Sequence, residues 1–281
     1  MAESLSEWLA LREPVDAAAR SAAVTQAVVD ALPDDRPLRL LDLATGTGSN
    51  IRFLAARLPG SSGCPASPTI RPAAAPGPPS DQDWLAVDRD PMLLAQVPRY
   101  ATTRCLELGS LDDAGLFSGR HLVTASALLD LVSTSWMVSL AEHCRAAGAA
   151  GLFALNYDGR SLCWPREPDD DDVLDLFNQH QKASDKGFGV AVGPEAADCV
   201  SRCFAAAGYS VRRERSDWEL TPTLRDLQRR LIAGWAQAAI EIAPDRSDLI
   251  RGWLARRLDH VAHGRSWVHV GHQDVAVWLP R

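Results

Sequence analysis

The apolar positions of this chain change period along its length. Up to residue 35 they recur at helical spacing: Trp8, Leu9, Leu11, Val15, Ala18, Ala19, Ala22 and Val28 predict a helical segment that Leu32-Pro33-Asp34-Asp35 ends. Short continuous apolar runs then take over. Residues 38–43 (LRLLDL), between Pro37 and a turn containing glycine, predict a strand buried on both faces of a parallel sheet, with 51–58 as the returning helix. Further strands are predicted at 84–87, 104–108, 122–126, 151–156 and 209–215. Helices are predicted from Asp90-Pro91, where an N-cap precedes a first-turn proline, over 136–147 and over 194–206. Two more, 223–242 and 246–263, lead to a last strand at 268–279 whose alternating Val and Trp suit an antiparallel position. The expected fold is α/β: a doubly wound, mostly parallel seven-stranded sheet with an antiparallel last strand, a helical N-terminal segment and a lid insertion after strand five.

Two stretches break the alternation. Residues 59–82 (PGSSGCPASPTIRPAAAPGPPSDQ) have no apolar period and are expected to be a flexible insertion. Residues 159–193 form a longer connection than strands and helices usually need, which suggests a lid or binding loop. Within it, Asp169 to Asp172 read as a solvated helix start.

Composition narrows the function classes. Of the 281 residues, 46% are hydrophobic and 23% charged, as in a folded globular protein. A formal charge of −7 repels polyanions, so no nucleic acid partner is expected. The start of the chain (MAESLSEWLA) is acidic where a secretory signal is basic, and no apolar run reaches membrane length, so the expectation is a cytoplasmic protein without a membrane partner. Six cysteines without a C-x-x-C pair read as reduced thiols, and Cys199 with Cys203, or His260, His263, His269 and His272, are not expected to hold a metal.

The chemistry concentrates in Leu41-Asp42-Leu43-Ala44-Thr45-Gly46-Thr47-Gly48-Ser49-Asn50, a strand entering a glycine turn and then a helix. Gly46 and Gly48 allow dihedrals closed to other residues, and the helix start offers free amide donors to a nucleotide-like ligand. A dinucleotide fingerprint needs a third glycine where Ile51 stands, which weakens a nicotinamide reading. The segment instead resembles motif I of class I S-adenosylmethionine-dependent methyltransferases of the small-molecule type, with Ala44 at the position of the first glycine. Leu85-Ala86-Val87-Asp88 is similar to the acidic position that such enzymes place at the end of the second strand.

That resemblance implies a cofactor, S-adenosyl-L-methionine, leaving as S-adenosyl-L-homocysteine. It places Asp42, Ala44, Thr45, Gly46, Gly48 and Asn50 around it, Asp88 on the ribose hydroxyls, Arg89 and Met92 beside the adenine, and Glu107 and Leu108, with Asp112 as competitor, on the adenine ring. Ser126 would pass beside the methionine part, and Arg12 or Arg20, in a segment similar to a helical lid, would approach the carboxylate. On this reading the chain is one methyltransferase domain over 1–281: an N-terminal lid to 35, a cofactor-binding half over 36–158, a substrate lid over 159–193 and the rest of the sheet to 281.

Beyond the strand ends, Asp130, Tyr157 and His180 are the candidates for proton removal, and the mixed polar and aromatic groups of 177–189 suggest a polar small-molecule acceptor (O or N). Alternatives from other classes are an NAD-dependent oxidoreductase and a non-catalytic S-adenosylmethionine-binding regulatory protein. A monomer or homodimer is expected.

Overall fold

The computed structural model describes residues 5–34, 37–59, 81–183 and 185–280. Of the expected flexible insertion, residues 60–80 lie outside the described residues. The strands are β1 (Leu38–Leu43), β2 (Gln82–Asp88), β3 (Ala101–Cys105), β4 (Leu122–Ser126), β5 (Ala150–Trp164), β6 (Ser210–Arg215), β7 (Trp218–Leu220) and β8 (Trp267–Trp278). The helices are α1 (Leu5–Ala19), α2 (Ala22–Ala31), α3 (Ser49–Ala55), α4 (Pro91–Leu94), α5 (Thr134–Ala147), α6 (Asp170–Ala183), α7 (Ala196–Ala206), α8 (Arg225–Ile242) and α9 (Ser247–Ala262).

The sheet runs β3-β2-β1-β4-β5-β8-β6, with β7 paired to β8. The pairs from β3 to β5 are parallel, and β8 is antiparallel to β5, β6 and β7. This is the expected doubly wound sheet with its antiparallel last strand, enlarged by one short strand. Alternation along β1 sends Leu38 and Leu40 to a core under α2, α3 and α4, and Leu41 and Leu43 to a core under α5 and α7. Burial on both faces explains why the run is nearly all leucine.

Four differences from the expected elements have physical causes. The N-terminal helix divides at Arg20 and Ser21, because the Ser21 hydroxyl accepts from Val24 N and caps a new helix. Strand three ends at Cys105, and apolar Leu106 and Leu108 turn into a cavity instead of continuing an exposed edge. The segment expected as a lid begins as strand, since β5 runs to Trp164, and then forms α6. Strand β7 is three residues long, too short to show a period.

A third core lies over the far ends of β5 and β8, where Tyr157, Val173, Leu176, Trp218, Trp235, Trp253 and Val268 pack together from α6, α8, α9 and β7. Its edge includes Trp8, Leu11 and Val15 of α1. Helices from distant parts of the chain thus meet above the carboxyl ends of the strands. Among the described residues, no helix is long and apolar enough to cross a membrane.

Candidate functional site

Among the described residues, three other than glycine adopt left-handed backbone, and all lie where strands reach the same rim: Ala44 (φ 50°) after β1, Ala127 (φ 52°) after β4 and Leu155 (φ 54°) within β5. Such conformations persist where the surroundings fix them. Leu155 sits at a register shift between β5 and β8, held by the buried Asp274 carboxylate, whose Oδ1 accepts from Leu155 N at 2.8 Å. In the turn after β1, Gly48 (φ 81°) is obligatory, because a Cβ there would stand 2.7 Å from Pro98 Cδ.

Two cavities open from this rim. The first, of about 330 Å³, is bounded by the turn residues Ala44 to Thr47, by Asp42, Ser49 and Asn50, by Asp88 to Asp90, by Leu106 to Leu108, and by Ser126. Helix α1 covers it with Leu9, Arg12 and Asp16. The Asp88 carboxylate accepts from Gly46 N at 2.8 Å through Oδ2 and from Asp90 N at 3.0 Å through Oδ1, which fixes both oxygens at the cavity wall. At the other end Asp42 accepts from Thr45 Oγ1 at 2.6 Å and Asn50 Nδ2 at 2.7 Å, and Asn50 Oδ1 accepts from Arg20 Nη1 at 2.7 Å. Arg20 also pairs with Asp274, yet its Nη2 has no hydrogen-bond partner among the described residues. Burial lifts the Asp42 carboxyl from its ordinary 3.8 to about 6, against the hydrogen bonds of Thr45 and Asn50.

The second cavity, of about 210 Å³, shares Arg12, Ala127 and Leu131 with the first. Its walls include the aromatic rings of Trp8, Tyr157, Phe177, Trp218 and Trp235. Arg12 is held by Asp16 at 2.8 Å and lies over the Trp218 ring at 4.9 Å. Tyr157 donates its hydroxyl proton to Asn178 Oδ1 at 2.9 Å, and burial pushes its ionisation upward, so it is a poor proton acceptor. His272, buried beside Trp218, is pushed down to about 3 and is neutral at physiological pH.

Asp130 borders this second cavity, and its Oδ1 has no hydrogen-bond partner among the described residues. Burial raises its carboxyl from 3.8 to about 6, opposed by its own backbone hydrogen bond and the charges of Lys186 and Arg12. A carboxyl raised in the folded state destabilises that state once it is charged, so its cost is absent below the unfolded value and complete above about pH 6. Asp130→Asn is therefore expected to be more stable than the parent by about 1–3 kcal/mol at pH 8, with the gap narrowing toward pH 4. Urea titrations of both proteins across pH check this. A gap that does not change with pH rejects a raised carboxyl.

The first cavity brings together Asp42, Ala44, Thr45, Gly46, Asn50, Asp88, Arg89, Glu107, Leu108 and Ser126 from the sequence candidates, and leaves out Asp112. Gly48 lies behind the turn, and Arg20 borders a side recess that shares Ser49, Asn50 and Ser126 with it. Met92 is a correction: Asp90 caps α4 through Met92 N, and this places the Met92 side chain outward, 74% exposed, while Leu93 lines the cavity instead. His180 is another, since it borders neither cavity and its Nε2 lies 3.0 Å from Glu241 between α6 and α8. Lys186 and Phe188, from the stretch 177–189 expected to face the acceptor, line the first cavity, whereas Leu9, Asp16 and Asp274 were not among the candidates. Asp274 alone of these three left a signal, as an acid directly before the apolar run Val275 to Val277. Among the described residues, no three His, Cys, Asp or Glu side chains are grouped to hold a metal.

No family model and no curated protein matches the chain. Solved structures do show similar paths. A SAM-dependent methyltransferase from Geobacter sulfurreducens in complex with S-adenosyl-L-homocysteine is 15% identical, with 94% of this chain and 92% of that chain covered and a TM-score of 0.42. The cyclopropane synthase MmaA2 from Mycobacterium tuberculosis is 12% identical over 91% of this chain and 83% of that chain, at 0.43. The YcgJ protein from Bacillus subtilis is 12% identical over 93% of this chain and 100% of that chain, at 0.48. Function is therefore read from this chain's own side chains.

Proposed function

We propose that the chain binds S-adenosyl-L-methionine in the first cavity and transfers its methyl group to a small molecule. The observation that carries this reading is the joint placement of the turn residues Ala44 to Thr47 and the Asp88 carboxylate on one cavity wall. A vicinal diol suits a carboxylate with two fixed oxygens. The unpartnered Arg20 Nη2, next to Asn50, suits the carboxylate of an amino acid. Beyond Asp88, on the side away from Asp42, Leu93, Leu106 and Leu108 offer apolar surface for a purine. The residues present thus fit an adenosyl amino acid.

When bound, that compound supplies a methyl group on a positively charged sulfur. The chain's part is to seat an acceptor beyond Ser126 and Ala127, to keep water out with α1, and to take up a proton at Asp130. Nothing favours a dinucleotide, because Ile51, where the third glycine would stand, is fully buried in the core under α2 and α3.

Calorimetric titration with S-adenosylmethionine, S-adenosylhomocysteine and NAD tests the reading. One site per chain for each sulfur compound and none for NAD is expected. Binding of NAD alone overturns it. A screen for labelled-methyl transfer to metabolite extracts then separates an enzyme from a binding module.

A further inference from the structure

The second cavity is unlike the polar acceptor site that residues 177–189 suggested. Its rings come from five parts of the chain, with Trp8 on α1, Tyr157 on β5, Phe177 on α6, Trp218 on β7 and Trp235 on α8. Among these rings stands one carboxylate, Asp130, 8% exposed and with an unpartnered Oδ1, beside the uncharged polar groups Gln181 and His272. A buried acceptor atom without a donor is expensive, and a ligand donor removes that cost. The outside charges that act on Asp130 are those of Lys186, which lines the first cavity, and of Arg12, which reaches both cavities and is paired with Asp16. A cationic ligand would meet those charges, whereas a neutral hydroxyl, becoming anionic as it reacts, would be helped by them.

Building on the methyl-transfer reading, we infer that the second cavity takes a small neutral aromatic compound whose hydroxyl donates to Asp130 and is the atom methylated. In the transfer, an oxygen lone pair forms the bond to the methyl carbon, the carbon–sulfur bonding pair stays on sulfur, and the hydroxyl proton goes to the Asp130 carboxylate. A base whose ionisation lies near neutrality suits that proton transfer, and burial brings Asp130 close to that range.

The test uses the full chain saturated with S-adenosylhomocysteine, so that binding is read without turnover. Three probes on one ring system are titrated by calorimetry: 2-naphthol, 2-naphthylmethylammonium and 2-naphthoate. Naphthol is expected to bind most tightly, and Asp130→Leu is expected to weaken it at least tenfold. Leu231→Trp, which adds bulk at the cavity wall, is expected to abolish its binding. Tightest binding by the ammonium, no binding of naphthol, or naphthol binding that neither substitution changes overturns the inference. The order of the three probes in the parent protein decides even where a variant does not fold. Failure to bind S-adenosylhomocysteine would instead count against the methyl-transfer reading itself.

Discussion

Asp88→Ala is expected to weaken S-adenosylhomocysteine binding about a hundredfold while the protein stays folded. The Asp88 carboxylate is 9% exposed, faces the first cavity, and already accepts one backbone amide on each oxygen. Each oxygen keeps a lone pair for a ribose hydroxyl. Hydrogen bonds to a charged acceptor contribute about 1.5–3 kcal/mol each, so losing two of them costs roughly 3 kcal/mol or more, or about two decades in Kd. Asp88→Asn keeps the volume and one acceptor but not the charge, and should lose about tenfold. Calorimetry on both variants, with melting curves to confirm folding, checks the graded loss. Alanine binding within a few-fold of the parent would remove Asp88 from the ligand's contacts.

What the sequence shows of this site follows the range of the interactions involved. The turn after β1 is local: Asp42, Thr45, Gly46 and Asn50 lie within nine residues, so pattern and turn chemistry locate them together. Asp88 is legible because it ends a strand that pairs with β1 in register. The roof over the cavity is not local. Leu9 and Arg12 reach it only because α1 packs against β7 and α8, more than 200 residues away in sequence. No periodicity encodes such a meeting.

The same reasoning accounts for the candidates that moved. Phe177 and His180 are neighbours on α6, yet Phe177 faces Tyr157 and Trp235 while His180 meets Glu241 on α8. Which face of α6 looks inward is decided by β5, whose extension to Trp164 carries the chain past the expected end of the strand. Asp274 illustrates the converse. One buried carboxylate holds the Leu155 bulge, the Ser21 amide and Arg20, and so ties β5, α2 and the side recess beside the first cavity together. Read along the strand, it is only an acid between Gln273 and Val275.

Arg257→Leu is expected to destabilise the chain by about 3–5 kcal/mol, the largest stability loss among these predictions. Asp170 was expected to be solvated, but it and Arg257 are both fully buried. Its Oδ1 accepts from Trp253 Nε1 at 2.8 Å and Arg257 Nε at 2.9 Å, and its Oδ2 from Glu167 N at 2.9 Å and from Arg257 Nη2. Leucine in place of Arg257 leaves that carboxylate charged, dry and short of two donors. Asp170→Leu on its own strands the guanidinium in the same way. In the double variant neither charge remains, so most of the loss should be recovered, and urea unfolding of all four proteins measures the coupling. Single losses that merely add in the double variant would show that the two residues act independently. The pair joins the first turn of α6 to α9, and α6 carries Phe177 into the second cavity. Arg257→Leu should therefore weaken naphthol binding more than binding of S-adenosylhomocysteine, because no part of α6 borders the first cavity.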